Sequence, residues 1–565
     1  MASAGLLLFA PAIFFATVFG LAWPLAARLP LAPAEKIAAS AALSLIGIWL
    51  FAWTVYVWAL PLPALGALPV LAGAGLAFRH RELVATGRDC DARELLIGQL
   101  LVTSWCVGWL AFVSSYSGGG WAADWFEHWD RARFFLERGP RDTQFLGHYA
   151  LTARPPLANV VTGAFLQLTR VDFAHYQLVC TLLSSLVLLP LALLARRFGR
   201  GRHAIALGAL LLLVNPLFVQ NATFAWTKLP AAFFTLTALY FFLRAQEPGA
   251  PRATAVLFGA TLAAALLAHY SAGPSAVVLS LAWIPVGWVQ RNNSDWRRAS
   301  VLGAVTGGLL LATWFAWALG HYGLAGTFLS NTSVTSPEVH QGGQLAKILL
   351  NLRDTLVPHF LRPLDAVLIA QTNVWGTARD WFFQLYQLNL PLACGSVASF
   401  ALGREAWRAA RGATSAVRTG WTVGLVAVVL LSVTVHGERD HWGLTHICLQ
   451  GVVLLALAFL AARWTELGRG WRLALLAGAT VDFTTGIALQ FAAQSFALDR
   501  WFAHGTDPTA TYNGYNESAF MNLAAKIQHQ LVFFADRWPL PPALALVGLA
   551  AILGLMLARA RATAP

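Results

Sequence analysis

The chain has 565 residues, 58% hydrophobic and only 12% charged, with 24 Trp and 35 Phe. An average soluble domain carries about 25% charged residues, so this composition excludes a water-soluble globule. The net charge of +13 would suit nucleic acid, but its distribution gives it another origin. Segments 28–36, 79–94, 196–202, 244–253, 290–298, 404–419, 462–472 and 559–565 hold 24 Lys and Arg against 9 acidic residues, while the rest of the chain holds 15 against 17. These segments are alternate loops, so the positive-inside rule makes them cytoplasmic. None is interleaved with stacking aromatics, and no nucleic-acid partner is expected.

Apolar runs of about 17 to 25 residues recur along the chain, each long enough to cross a hydrocarbon core of roughly 30 Å, and about fifteen can be counted. The opening run has no Lys or Arg before Arg28 and so lacks the positive start of a secretory signal; it reads as a retained span. The fold class expected is all-α, a polytopic integral membrane protein. Spans near 5–24, 37–59 and 61–78 form an N-terminal unit over 1–94, and a fourth lies near 95–116. Gly118-Gly119-Gly120 then breaks the helix, since glycine costs about 1 kcal/mol per residue there.

The first external loop, 117–172, opens on Trp121-Ala-Ala-Asp124-Trp125-Phe126-Glu127-His128-Trp129-Asp130-Arg131, the densest charge cluster in the chain. On a helix, Trp121, Trp125, Trp129, Ala132 and Leu136 share one face and Asp124, Glu127 and Arg131 the other. That pattern suits an amphipathic helix on the membrane surface, holding two carboxylates just above the bilayer. The plainer alternative is a Glu127–Arg131 pair on a solvated face, worth a few tenths of a kcal/mol. Arg154-Pro155-Pro156 starts a second helix too short to span, with proline tolerated in a first turn.

Spans near 174–195, 203–220, 229–243, 254–268, 272–289 and 299–318 complete a core over 95–318, with short external connections at Asn221–Lys228 and His269-Tyr270-Ser271. A second external loop, 319–387, precedes the C-terminal region 388–565, whose spans near 388–403, 420–435, 446–461, 473–491 and 543–558 enclose a polar hairpin, His436–His441, and a third external loop, 492–540. Loops of this length usually carry function. Cys106, Cys180, Cys394 and Cys448 fall within spans and Cys90 in a cytoplasmic loop, so neither a bridge nor a zinc spacing is expected. His436, Glu438, Asp440 and His441 look like metal ligands but lack a fixed ligand spacing, and no metal or other cofactor is expected. Asp482, mid-span, must be paired, face a wet cavity or be neutral.

The order of features over 95–290 resembles the GT-C superfamily of membrane glycosyltransferases, and within it the branch of lipid A aminoarabinose transferases and protein O-mannosyltransferases. The features are a span, the acidic loop motif (Asp124, Glu127), the Arg-Pro-Pro helix start, the span ending Leu193-Leu194-Ala195-Arg196-Arg197-Phe198-Gly199, Asn215-Pro216-Leu217-Phe218, and the run from Ala231 to Arg244. The branch usually has adjacent Asp-Glu in this loop, whereas two residues separate the pair here, so the choice of base stays open between Asp124 and Glu127. The resemblance implies transfer of a sugar from a polyprenyl-phosphate donor to a hydroxyl of a lipid or glycan acceptor, inverting the anomeric carbon. It also implies a bacterial-type inner membrane with the active site facing the periplasm.

Such a transfer needs a base near the acceptor and cations for the leaving phosphate. Arg154, at a helix start, suits a phosphate by bidentate bonding and by the free N–H groups, its alternative being an interfacial arginine that snorkels to headgroups. Lys228, at the outer mouth of its span, is a second candidate phosphate ligand, with the same snorkelling alternative. His128, Tyr149, His269, Tyr270 and Glu438 are candidates for sugar or acceptor contacts, although a lone His beside a span is as readily a structural hydrogen-bonder. The rival reading is a lipid-linked sugar flippase or transporter. Transporters gather ionisable groups near the midplane, often in two related halves, and the sequence has neither feature beyond Asp482. With the five native cysteines removed, a cysteine at Ser117 or Ser518 is predicted to react with an impermeant thiol reagent in intact cells and one at Ser294 to stay unlabelled; labelling at Ser294 would invert the topology.

Overall fold

A computed structural model describes residues 2–110, 113, 122–147, 149–199, 203–331, 343–358, 361, 384–411, 416–436, 443–491 and a few positions beyond 510. The architecture is all-α, with one two-residue antiparallel ladder, Thr511–Tyr512 on Tyr515–Asn516, among the described residues. Helices α1 (Ala2–Gly20), α2 (Trp23–Ala26), α3 (Pro33–Val57), α4 (Ala67–Phe78), α5 (His80–Arg88) and α6 (Cys90–Trp109) come first. Next are α7 (Ala122–Glu137), α8 (Leu157–Leu168), α9 (Phe173–Ser185), α10 (Leu188–Phe198), α11 (Ala204–Leu213), α12 (Pro216–Thr223), α13 (Lys228–Arg244), α14 (Arg252–Ala268), α15 (Gly273–Val289) and α16 (Ser294–Phe328). After the second loop come α17 (Gln344–Leu356), α18 (Leu390–Cys394), α19 (Ser396–Arg411), α20 (Ala416–Val435), α21 (Gln450–Arg463) and α22 (Arg469–Phe491).

Among the described residues, five segments are long and apolar enough to span a membrane: Phe9–Ala26, Pro33–Val57, Phe173–Phe198, Tyr270–Val289 and Ser294–Phe328. Two bent pairs raise the number to seven, Leu62–Phe78 with His80–Arg88 at 72° and Ala204–Leu213 with Pro216–Thr223 at 70°. The sequence count of about fifteen also includes shorter apolar helices and segments outside the described residues. The expected span 203–220 is thus two helices. Pro216 cannot continue α11, and Asn215 caps α12 by accepting the Phe218 N–H at 3.0 Å, which turns the chain.

Helix α13 runs through the centre, buried from Lys228 to Phe242. It packs against α14, and α14 against α16. Glycines allow that second approach: a Cβ on Gly307 would lie 2.8 Å from the Gly259 carbonyl oxygen, the close backbone contact typical of helices packed in lipid. Outward-facing Ile284, Trp288, Val289, Val301, Leu309, Val423 and Val426 are exposed, as a lipid-facing surface requires.

Helix α7 departs from expectation. Trp125 and Trp129 meet Phe173 edge to face at centroid distances of 5.4 and 5.6 Å, and Ala132 and Leu136 are buried too. The opposite face, Glu127 and Arg131, is equally buried. The aromatic stripe is therefore core rather than membrane anchor, because α8 and α9 cover it before lipid can. Helix α8 is likewise buried from Leu157 to Leu166. An exposed amphipathic helix occurs instead in the second loop, where α17 turns Leu345, Leu349 and Leu356 outward and buries Lys347, Asn351 and Asp354. The expected break at Gly118–Gly120 lies outside the described residues.

Candidate active site

Four separate pieces of chain converge: the polar face of α7, the loop 149–154 before α8, the corner between α12 and α13, and the His269-Tyr270 turn before α15. Helix spacing puts Glu127 one turn before Arg131, whose Nε donates to Glu127 Oε1 at 2.8 Å. The side chains are 0% and 1% exposed, so this pair is a buried one and not the solvated pair of the plainer sequence reading. The remaining Arg131 nitrogens donate to the carbonyls of Leu151 at 2.7 Å and Ala150 at 3.0 Å, and the guanidinium lies over Phe145, 4.2 Å from its centroid. Arg131 thereby staples α7 to the loop that carries Arg154.

Arg154 is 5% exposed, with Nη2 3.4 Å from Glu127 Oε2. Its guanidinium is sandwiched between Tyr149 and Tyr270, 4.8 and 5.0 Å from their centroids, a cation–π arrangement strengthened by desolvation. Nη1 donates to Asn331 Oδ1 at 3.0 Å, at the end of α16. Arg154 is held inside the protein and does not snorkel to headgroups.

Asp124 is the accessible carboxylate of this cluster, with a side chain 28% exposed. Lys228 Nζ lies 3.5 Å from its Oδ2 and 3.9 Å from the centroid of the Trp226 ring. The corner that delivers Trp226 and Lys228 is strained: Ala225 has φ +55°, a left-handed conformation that costs a non-glycine residue of order 1 kcal/mol or more. The Tyr176 hydroxyl, with one proton between the carbonyls of Trp125 at 3.2 Å and Ala225 at 3.3 Å, ties it to α7.

Burial alone would raise Glu127, but Arg154 and Arg131 outweigh it and hold the carboxyl down at about 2. Burial pushes His128 down to about 4 against the pull of Glu127 and Asp124, so its imidazole is neutral. Its Nδ1 sits 3.2 Å from Asn159 Oδ1 and its Nε2 3.3 Å from Thr227 Oγ1, which makes Nδ1 the donor and Nε2 the acceptor. His269 is likewise lowered by burial and by Lys228 and Arg154, and its Nδ1 accepts the Ser271 N–H at 3.1 Å. Burial raises Asp130 to about 6, but it lies off the polar face.

Arg131, Arg154 and Lys228 against Asp124 and Glu127 give the cluster a net charge of 3 − 2 = +1. It offers one accessible carboxylate beside a lysine and an arginine, in a setting where an anion is favoured. Of the residues singled out by sequence, Asp124, Glu127, His128, Tyr149, Arg154, Lys228, His269 and Tyr270 share this neighbourhood. His436 joins it, its ring 5.0 Å from that of Tyr270. Glu438, Asp440 and His441 lie outside the described residues, and among the described residues no three His, Cys, Asp or Glu cluster as metal ligands. Asp482 is elsewhere, accepting from the Ser396 N–H at 2.8 Å and Oγ at 3.1 Å. Sequence reasoning missed Trp226 and Asn331. A Trp two residues from a candidate Lys was a usable signal; nothing marked Asn331.

Residues 102–323 match the family of dolichyl-phosphate-mannose-protein mannosyltransferases. Two solved structures are similar: ArnT from Cupriavidus metallidurans bound to undecaprenyl phosphate, at 16% identity and TM-score 0.45 over 80% of this chain and 77% of that one, and the same protein in the apo state, at 17% identity and TM-score 0.43 over 80% and 74%. At that level the likeness assigns no residue a role. No curated protein matches the chain.

Replacing one partner of a buried ion pair typically costs about 3–5 kcal/mol. Glu127→Gln is therefore expected to lower the melting temperature of the detergent-purified protein markedly at neutral pH; an unchanged transition would show the clamp to be dispensable. His128 has a depressed pKa, so its contribution is complete above its ordinary 6.5 and is lost as pH falls toward about 4. The fall in melting temperature across that window should be shallower in His128→Asn than in the wild type, and parallel curves would remove His128 as a titrating group.

Proposed function

We propose that the protein is a membrane glycosyltransferase that moves a sugar from a polyprenyl-phosphate donor to an acceptor hydroxyl on the extracytoplasmic face. The observation that carries this reading is the partly exposed Asp124 facing the buried ammonium of Lys228, with Arg154 fixed beside them, all within the stretch that matches the mannosyltransferase family. In the proposed step the acceptor O–H gives its proton to the Asp124 carboxylate as its oxygen attacks the anomeric carbon. The bond from that carbon to the phosphate oxygen breaks, and the oxygen leaves with the electron pair. Lys228 and Arg154 meet the charge that develops on the phosphate. A single displacement inverts the anomeric carbon.

Glu127 is a poor base, because two guanidiniums stabilise its charged form and water is excluded from it. We assign it a positioning role, fixing Arg154. His128, His269 and Tyr270 supply neutral hydrogen-bonding groups for sugar or acceptor hydroxyls. Metal-independent transfer is part of the proposal and rests on the ligand spacings in the sequence.

Loss of a general base commonly costs about 10²- to 10⁴-fold in rate. With polyprenyl-phosphate sugar as donor, Asp124→Asn should retain donor binding and lose turnover on that scale. Arg154→Ala and Lys228→Ala should weaken donor binding as well, and Arg154→Lys should recover only part, since a point charge cannot bond bidentately. Full turnover in Asp124→Asn would transfer the role of base to another loop, with Glu438 first to test. Movement of intact lipid-linked sugar across vesicles without transfer would make the protein a flippase.

A further inference from the structure

At the opposite end of the bundle, where the basic segments 79–94 and 196–199 lie, two cavities meet at one ion pair. The first is a groove of 660 Å³ between α6 and α11, walled mainly by Ile97, Leu101, Leu210 and Leu213. Its volume falls within the roughly 300–1,000 Å³ of ordinary ligand sites. Its mouth changes character: Asp91, Glu94, Arg196 and His203 line it. The second cavity, 400 Å³, also contains Asp91 and Arg196 and is lined beyond them by Glu35, Arg197, Arg244 and Glu247.

The boundary between the two is the Arg196 Nε to Asp91 Oδ2 bond at 3.1 Å, both side chains about 40% accessible. In the charged cavity Arg197 and Arg244 both pair with Glu247, and Arg244 Nε also reaches Glu35 Oε1 at 3.1 Å. Glu94 Oε1 accepts the Ala206 N–H at 3.2 Å, at the start of α11, and its carboxylate lines the groove mouth beside Arg196 and His203. An apolar trough thus opens into a chamber of both signs, with neither sign in large excess. A purely anionic headgroup at the groove mouth would face the carboxylates of Asp91 and Glu94. A headgroup carrying phosphate and ammonium together can meet Arg196 and His203 with one end and Glu94 with the other.

We propose that this paired cavity is a binding site for an aminophospholipid, one acyl chain in the α6–α11 groove and the phosphoethanolamine headgroup at its mouth. The site is independent of the glycosyl-transfer reading, sharing no residue with it. Occupancy would fill a void between two helices that otherwise meet across it, and would tie the protein to the leaflet rich in that lipid.

The test uses the full chain in phosphatidylcholine nanodiscs with a photoactivatable phosphatidylethanolamine. Crosslinks are expected on peptides covering 90–105 and 203–214, competed by unlabelled phosphatidylethanolamine at about tenfold lower concentration than by phosphatidylglycerol, a difference of one charge-assisted contact. Glu94→Gln should erase that preference. Leu101→Trp, at a surface position where folding is not at risk, should block capture while the protein elutes unchanged in size-exclusion chromatography. Equal competition by phosphatidylglycerol, a preference that survives Glu94→Gln, or labelling spread over the lipid-facing helices would overturn the proposal.

Discussion

The carboxylate of Glu127, sealed from water between Arg131 and Arg154, is the interaction on which the described site depends. A lone carboxylate there would cost several kcal/mol, and so would either guanidinium without it. Each charge is tolerable because the others are present, and the arrangement fixes three backbone segments at once. Arg131 spends its remaining hydrogen bonds on the carbonyls of Ala150 and Leu151, and Arg154 spends one on Asn331. The clamp converts charge that composition alone would send to a surface into the scaffold of a site.

This also separates two carboxylates that lie three residues apart on one helix. Glu127 has two cationic partners and no access, whereas Asp124 has one partner at the edge of hydrogen-bonding distance and keeps its contact with solvent. Their environments push them toward different roles, one structural and one chemical, on the principle that surroundings and not residue type set the work of an acid. The strained Ala225 corner and the Trp226 ring serve the same end, presenting the Lys228 ammonium at a fixed point beside Asp124.

Much of the fold was legible because membrane helices write their length into hydropathy. Helices α3 and α15 fall close to their expected bounds. The breaks at Asn215-Pro216 and within 388–403 were not read: a proline inside an apolar run is tolerated in some spans and turns others, the deciding Asn215 cap being a local hydrogen bond, and the second break rests on Gly395 at φ +112°, a conformation no hydropathy pattern announces. The charge cluster of α7 was legible as a site, but its setting was not. An aromatic stripe has the same period whether it meets lipid or Phe173 and Tyr176, and sequence periodicity cannot name the partner. For the same reason the Tyr149–Arg154–Tyr270 sandwich, which joins residues more than a hundred positions apart, and the contact with Asn331 lay beyond reach. They depend on which helices become neighbours.

The central claim is that the anion of a lipid-linked donor is met by Lys228 and Arg154 beside a freed Asp124. A density map of the protein with bound polyprenyl phosphate tests it most directly. The account predicts phosphate density within hydrogen-bonding distance of the Lys228 ammonium and the Arg154 guanidinium, with the Lys228–Asp124 pair opened and the Arg131–Glu127 pair intact. Phosphate bound elsewhere, with Lys228 still paired to Asp124, would contradict it.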